Sequence, residues 1–246
     1  MSGSIHQHVR LRCLMEQSGV CLSELMAALA IGTLVLAGSL EAFNIVQAQA
    51  VRQQRTMTIQ QEIRLGLEVF EQEVRMASSS TIAVARSDRF EFLANIHGLR
   101  TVTTGPVASG QTVLPVQNGS GWGEGKTVVL CGSSGCESLQ LANEGQRSQL
   151  LLGGPVRGLY PAGASVEVRN RVTYYTRGED GDHTEFMRQI DGGAGVLIGN
   201  LQSVRLSFWD EWGGAAAGIG RITRVAVELL PAVGGRMVVR EVTVRS

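Results

Sequence analysis

Residues 25–40 form an uninterrupted run of sixteen residues without a charge, and this run limits what the rest of the chain can be. As a helix, the wider stretch 20–43 would be about 36 Å long at about 1.5 Å per residue. That length covers the roughly 30 Å hydrocarbon core of a bilayer. Upstream, Arg10 and Arg12 outweigh Glu16, and the positive-inside tendency keeps that end cytoplasmic and sends the chain after residue 43 to the other side. Glu24 stands where the apolar run begins. A carboxylate within a bilayer costs several kcal/mol unless it finds a partner, which makes it a functional candidate; near the boundary it can instead snorkel to the headgroups. A plain anchor or a buried core helix accommodates the run, and so does a secretory signal cleaved after the small-x-small triplet Ala48-Gln49-Ala50.

The helix is expected to continue beyond the apolar run. Residues 44–77 contain no proline, and Ile59, Ile63, Leu67, Phe70, Val74 and Ala77 recur at the spacing of one helical face. Gln60, Gln61, Glu62, Arg64, Glu68, Glu71, Gln72 and Arg75 occupy the other sides. The outer half of this helix therefore lays an apolar stripe on a globular domain. Gly66 interrupts it at a cost of roughly 1 kcal/mol relative to alanine.

After residue 80 the periodicity changes. Short β-favouring runs at 81–85, 90–93, 112–116, 127–131, 150–152, 165–168, 172–175, 186–189, 204–209, 222–229 and 237–244 alternate with Gly, Asn, Asp and Pro. No helix-length crossover separates them, so they predict an antiparallel β domain over residues 78–246. A long helix on such a domain is an α+β arrangement. The 31 glycines fit a turn-rich domain, and the balance of 22 basic against 22 acidic residues gives no overall bias toward nucleic acid.

Several apparent chemical motifs fail on context. Residues 120–127, SGWGEGKT, are one substitution from a phosphate-binding loop, but Val128-Val129-Leu130-Cys131 reads as a strand where that loop requires a helix. Cys131 and Cys136 flank four turn-forming residues and are expected to pair in an oxidising compartment; free buried thiols are the alternative. Glu179, Asp180, Asp182 and Glu185 collect carboxylates near one turn, where Asp180 and Asp182 are weak calcium-ligand candidates, but the EF-hand order is absent and a solvated turn explains the composition. A zinc site would lack ligands beyond His97 and His183. No nucleophile elbow and no H-E-x-x-H pattern occurs. The expectation is a protein that is not an enzyme and needs no cofactor.

Gly19 followed by Val20-Cys21-Leu22-Ser23-Glu24-Leu25-Met26-Ala27-Ala28-Leu29-Ala30-Ile31 resembles the class III signal of type IV pilins and pseudopilins. The C-terminal two-thirds resembles the PilW-type minor pilins and their relative, pseudopilin J of type II secretion. It does so through Glu73-Val74-Arg75-Met76-Ala77, RNRVTYYTRGEDGDHTEFMRQIDGG, VLIGNLQSVRLSFWDEWGG and the closing RITRVAVELLPAVGGRMVVREVTVRS.

The resemblance implies residues 1–19 as a leader removed between Gly19 and Val20 by a prepilin peptidase that methylates the new N-terminus. It implies 20–43 as the membrane and assembly helix, and Glu24 as the carboxylate that pairs with a neighbouring subunit's α-amine. Implied partners are other minor pilins, the major pilin, the peptidase and an inner-membrane assembly platform, with no nucleic acid. The implied location is the inner membrane as a single-pass protein, then the pilus at the cell surface, at or near its tip. The alternatives are a secretion pseudopilus tip subunit, or a pilus-borne adhesion or DNA-binding module that presents loops 117–125 and 177–184.

Overall fold

The structure, a computed structural model, describes residues 22–133, 135–179, 183–232 and 235–245. The chain divides into two compact units, residues 1–54 and 55–246. In the first unit, every described residue belongs to helix α1 (Leu22–Val74) and is exposed. Two hydroxyls within its uncharged run are satisfied inside the helix: Thr33 Oγ1 donates to the Ala30 carbonyl at 2.9 Å and Ser39 Oγ to that of Val35 at 2.7 Å. Such back-bonding is what an apolar surrounding demands of a polar side chain.

The second unit joins the last turns of α1 to an antiparallel β domain, the expected α+β arrangement. Ile63, Leu67, Phe70, Val74 and Ala77 are buried and Ile59 is partly so, which places the 3.6-residue stripe on the sheet. Phe70 meets Tyr174 edge-on, with ring centroids 4.9 Å apart, a geometry worth about 1 kcal/mol beyond area burial. The helix ends at Val74, three residues before the stripe does. Met76 and Ala77 N–H groups bond to Glu73 and Val74 carbonyls at 2.9 and 3.0 Å, tightening the last turn, and Arg245 N–H takes the Ala77 carbonyl at 3.0 Å. The chain's last described residue thus closes the helix end.

The strands are β1 (Ile82–Arg86), β2 (Arg89–Ala94), β3 (Arg100–Val102), β4 (Val113–Pro115), β5 (Thr127–Gly132), β6 (Gly135–Gln140) and β7 (Gln149–Leu151). They continue with β8 (Ser165–Glu179), β9 (His183–Ile190), β10 (Gly193–Trp209), β11 (Arg224–Pro231) and β12 (Val238–Thr243). The main sheet runs β1-β2-β8-β9-β10-β11-β12, every pairing antiparallel.

Strand β8 unites two cores. Its second half pairs with β2 and β9 beneath α1, and its first half pairs with β3 and β5 in an inserted lobe. That lobe has its own cluster, including Trp122, Leu130, Leu150, Val166 and Val168, separate from the Phe70, Phe90, Phe92, Tyr174 and Phe186 cluster under the helix. The sequence predicts two strands, 165–168 and 172–175, because Arg169-Asn170-Arg171 looks like a break. In fact the pleat continues through it, with Asn170 fully buried. Strands β3 and β6 are absent from the sequence-based expectation, since neither has an apolar run.

Candidate assembly surface

Two kinds of feature are available for contacts with other molecules: the exposed apolar helix and the elements that hold its outer half on the β domain. Glu24 lies in the first described turn of α1 and is exposed; the next acidic residue along the helix is Glu41. Between them the helix is apolar on all sides, with Leu25 53%, Leu29 60% and Leu36 65% exposed. Exposed apolar surface of this extent is a surface to be covered. Among the described residues, α1 is the one helix long and apolar enough to cross a membrane. Gly19 and Val20, the expected processing pair, lie outside the described residues, as do Asp180 and Asp182.

The outer half of α1 is held by a buried charge cluster that the sequence reading missed. Glu73, only 5% exposed, accepts a hydrogen bond from Tyr174 Oη at 2.5 Å. Arg188 Nε donates to both Glu73 oxygens at 3.1 and 3.0 Å, and Arg188 Nη2 completes a bidentate pair. Helix, β8 and β9 are therefore locked at one point. Burial, reinforced by the Glu73 charge, raises the Tyr174 phenol far above its ordinary range, so it remains a donor. The hydrogen bond to Glu73 raises Arg188 further still. A signal was present: Glu73 falls beside Val74, three residues after Phe70, on the buried face of the stripe. A carboxylate there requires a cation from the sheet.

Gly66 explains itself in the same way. A Cβ at this position would lie 2.3 Å from Ile198 Cγ1, 2.8 Å from Ile198 Cδ1 and 3.1 Å from the Leu197 carbonyl oxygen. The glycine marks a close approach between α1 and β10, rather than simply a weak spot in the helix.

In the inserted lobe, Cys131 and Cys136 are directly opposite on β5 and β6 and form a disulfide. The bridge lies across a hairpin whose Gly132 and Gly135 also pair. The loop resembling a phosphate site leads straight into β5 and has no helix behind it; its Trp122 is 2% exposed and anchors the lobe. Gly119 is buried with it, whereas Gln117, Asn118, Ser120, Gly121, Glu124 and Gly125 of the same loop are exposed. Its lysine, Lys126, forms an ion pair with Asp191 in the β9–β10 turn. Asp191 also accepts from Asn170 Nδ2 at 3.0 Å and from the Arg171 amide at 2.9 Å. Burial pushes the Asp191 carboxyl up, but the Lys126, Asn170 and Arg171 hydrogen bonds outweigh it and hold it below its ordinary value. Lobe and main sheet are thus tied at one carboxylate.

No group of three or more His, Cys, Asp or Glu side chains able to hold a metal occurs among the described residues. His97 and His183 are both exposed. Comparison with protein-family models, with curated proteins and with solved structures returns no match.

Proposed function

We propose that the chain is a membrane-anchored assembly subunit of the type IV pilin kind, a minor pilin that primes a pilus at or near its tip after cleavage between Gly19 and Val20. The observation that carries the reading is the continuity of α1: one helix runs from an exposed apolar segment headed by Glu24 to a β domain that buries its last turns. Such a helix has two jobs. Its first half packs among like helices in the bilayer and later in a fibre, and its second half carries the folded domain. Glu24, costly in hydrocarbon, gains a partner when a neighbour's α-amine reaches it, and the pair sets the axial register between subunits. The clamp at Glu73 fastens the outer half of the helix to the β domain.

Mass spectrometry of the N-terminal peptide, from protein recovered from native membranes, tests the processing. A chain beginning at N-methylated Val20 is the expected result. A start at Val51 or an intact Met1 overturns the reading. With processing established, Glu24→Ala is expected to insert normally and to enter the fibre about tenfold less, the equivalent of about 1.4 kcal/mol. Unchanged incorporation removes the register role. In a deletion strain, loss of pili supports the priming role, and secretion failure with intact pili points to a secretion pseudopilus instead.

A further inference from the structure

A groove of about 580 Å³ lies between the outer half of α1 and strand β12. Ile59, Ile63 and Leu67 line it from the helix, and Pro231, Val238 and Val239 from the sheet side. Arg64 and Arg236 also border it, and both are exposed. Neither makes an ion pair with a carboxylate among the described residues. The third arginine at the groove, Arg240, is engaged with Glu71 at 3.0 Å.

The groove reaches the backbone edge of β12. Val238 and Val239 both line it, although successive residues of a strand face opposite sides. The Val244 N–H bonds back to Thr223 at 2.8 Å, so the even-numbered residues of β12 carry the ladder to β11, while Arg245 N–H points the other way, to Ala77. Val239 and Glu241 share the orientation of Arg245. β12 is the last strand of the sheet, and the outward N–H and C=O groups of Val239 and Glu241 have no backbone partner among the described residues. An open strand edge beside an apolar trough is a template for strand addition.

We propose that this groove docks an extended segment of a partner protein, apolar and acidic in composition, which adds as a strand to the edge of β12. Residues 56–67 of α1 span about 17 Å, which matches about five extended residues. The alternate side chains of such a segment that face α1 include both kinds: apolar ones pack on Ile59 and Ile63, and a carboxylate on the same face answers Arg64 and Arg236. The groove lies wholly within residues 55–246 and is independent of the role assigned to Glu24.

The test uses the full chain in detergent micelles and a fluorescein-labelled, end-blocked hexapeptide Val-Thr-Val-Thr-Glu-Thr, whose one face carries two valines and the glutamate, followed by anisotropy. The expected result is saturable binding that is lost when lysine replaces glutamate, with slowed amide exchange at Val239 and Glu241. Val239→Pro removes one outward N–H and spares the ladder to β11. It is expected to weaken binding about tenfold, as one main-chain hydrogen bond is lost, while Val239→Ala, which keeps that N–H and loses only side-chain contact, weakens it less. Unchanged thermal unfolding of both variants confirms that they remain folded. The proposal is overturned by absence of binding, by equal binding of the lysine peptide, by tight binding to Val239→Pro, or by preference for a helical peptide of the same composition without protection of the β12 amides.

Discussion

Replacing Gly66 by alanine puts helix propensity and packing in direct opposition. In an isolated helix the change stabilises by about 1 kcal/mol. Here the added Cβ would sit 2.3 Å from Ile198 Cγ1, against a normal carbon–carbon contact of about 3.5–4.0 Å. Ile198 is 1% exposed and cannot swing aside, and the Leu197 carbonyl oxygen, 3.1 Å away, blocks retreat along β10. The helix must lift from the sheet by about 1 Å, which belongs at the upper end of overpacking costs, about 3 kcal/mol. The net loss is then about 2 kcal/mol, or about 4–8 °C in Tm for a domain of this size.

Thermal unfolding of the full chain in detergent micelles, followed by circular dichroism, measures it. Ile198→Ala alone costs about 2–5 kcal/mol through its cavity. The double variant Gly66→Ala/Ile198→Ala is expected to be more stable than the sum of the single losses predicts, because the new methyl occupies part of the space vacated. A Gly66→Ala protein more stable than the parent would refute the close approach, and with it the seating of α1 on β10.

Glu73→Gln leaves the Arg188 guanidinium facing a neutral amide and is expected to lower stability by about 3 kcal/mol; the same unfolding assay reads it, and replacing Glu73 and Arg188 by apolar residues of similar volume together with Tyr174→Phe, so that no buried hydroxyl loses its acceptor, is expected to recover most of the loss. Asp191→Asn tests the tie between the two lobes through its pH dependence. Because the folded-state pKa of Asp191 is depressed, its contribution is present above its unfolded value of about 3.9 and is lost as pH falls through the folded value. The variant is therefore expected to have a lower Tm than the parent at pH 7, with the gap closing below about pH 4; a gap independent of pH would remove the carboxylate's charge from the explanation.

The sequence alone determined the apolar helix, its amphipathic continuation and the antiparallel character of the strands after residue 80. Each rests on local periodicity, where the spacing of residues along the chain is itself the physical cause. Ile63, Leu67, Phe70 and Val74 had to share one face because a helix turns once in 3.6 residues. Only the tertiary structure decided which polar residues are internal. Glu73 lies 101 residues from Tyr174 and 115 from Arg188 along the chain, and their meeting depends on how β8 and β9 register beneath the helix. Likewise, Asn170 looks like a break until a strand runs through it, and Gly66 looks like a defect until β10 is laid against it. A carboxylate's partner, a glycine's neighbour and the open edge of β12 are properties of strand order and close approach. Those arise from packing two surfaces together, and no window of sequence contains both surfaces.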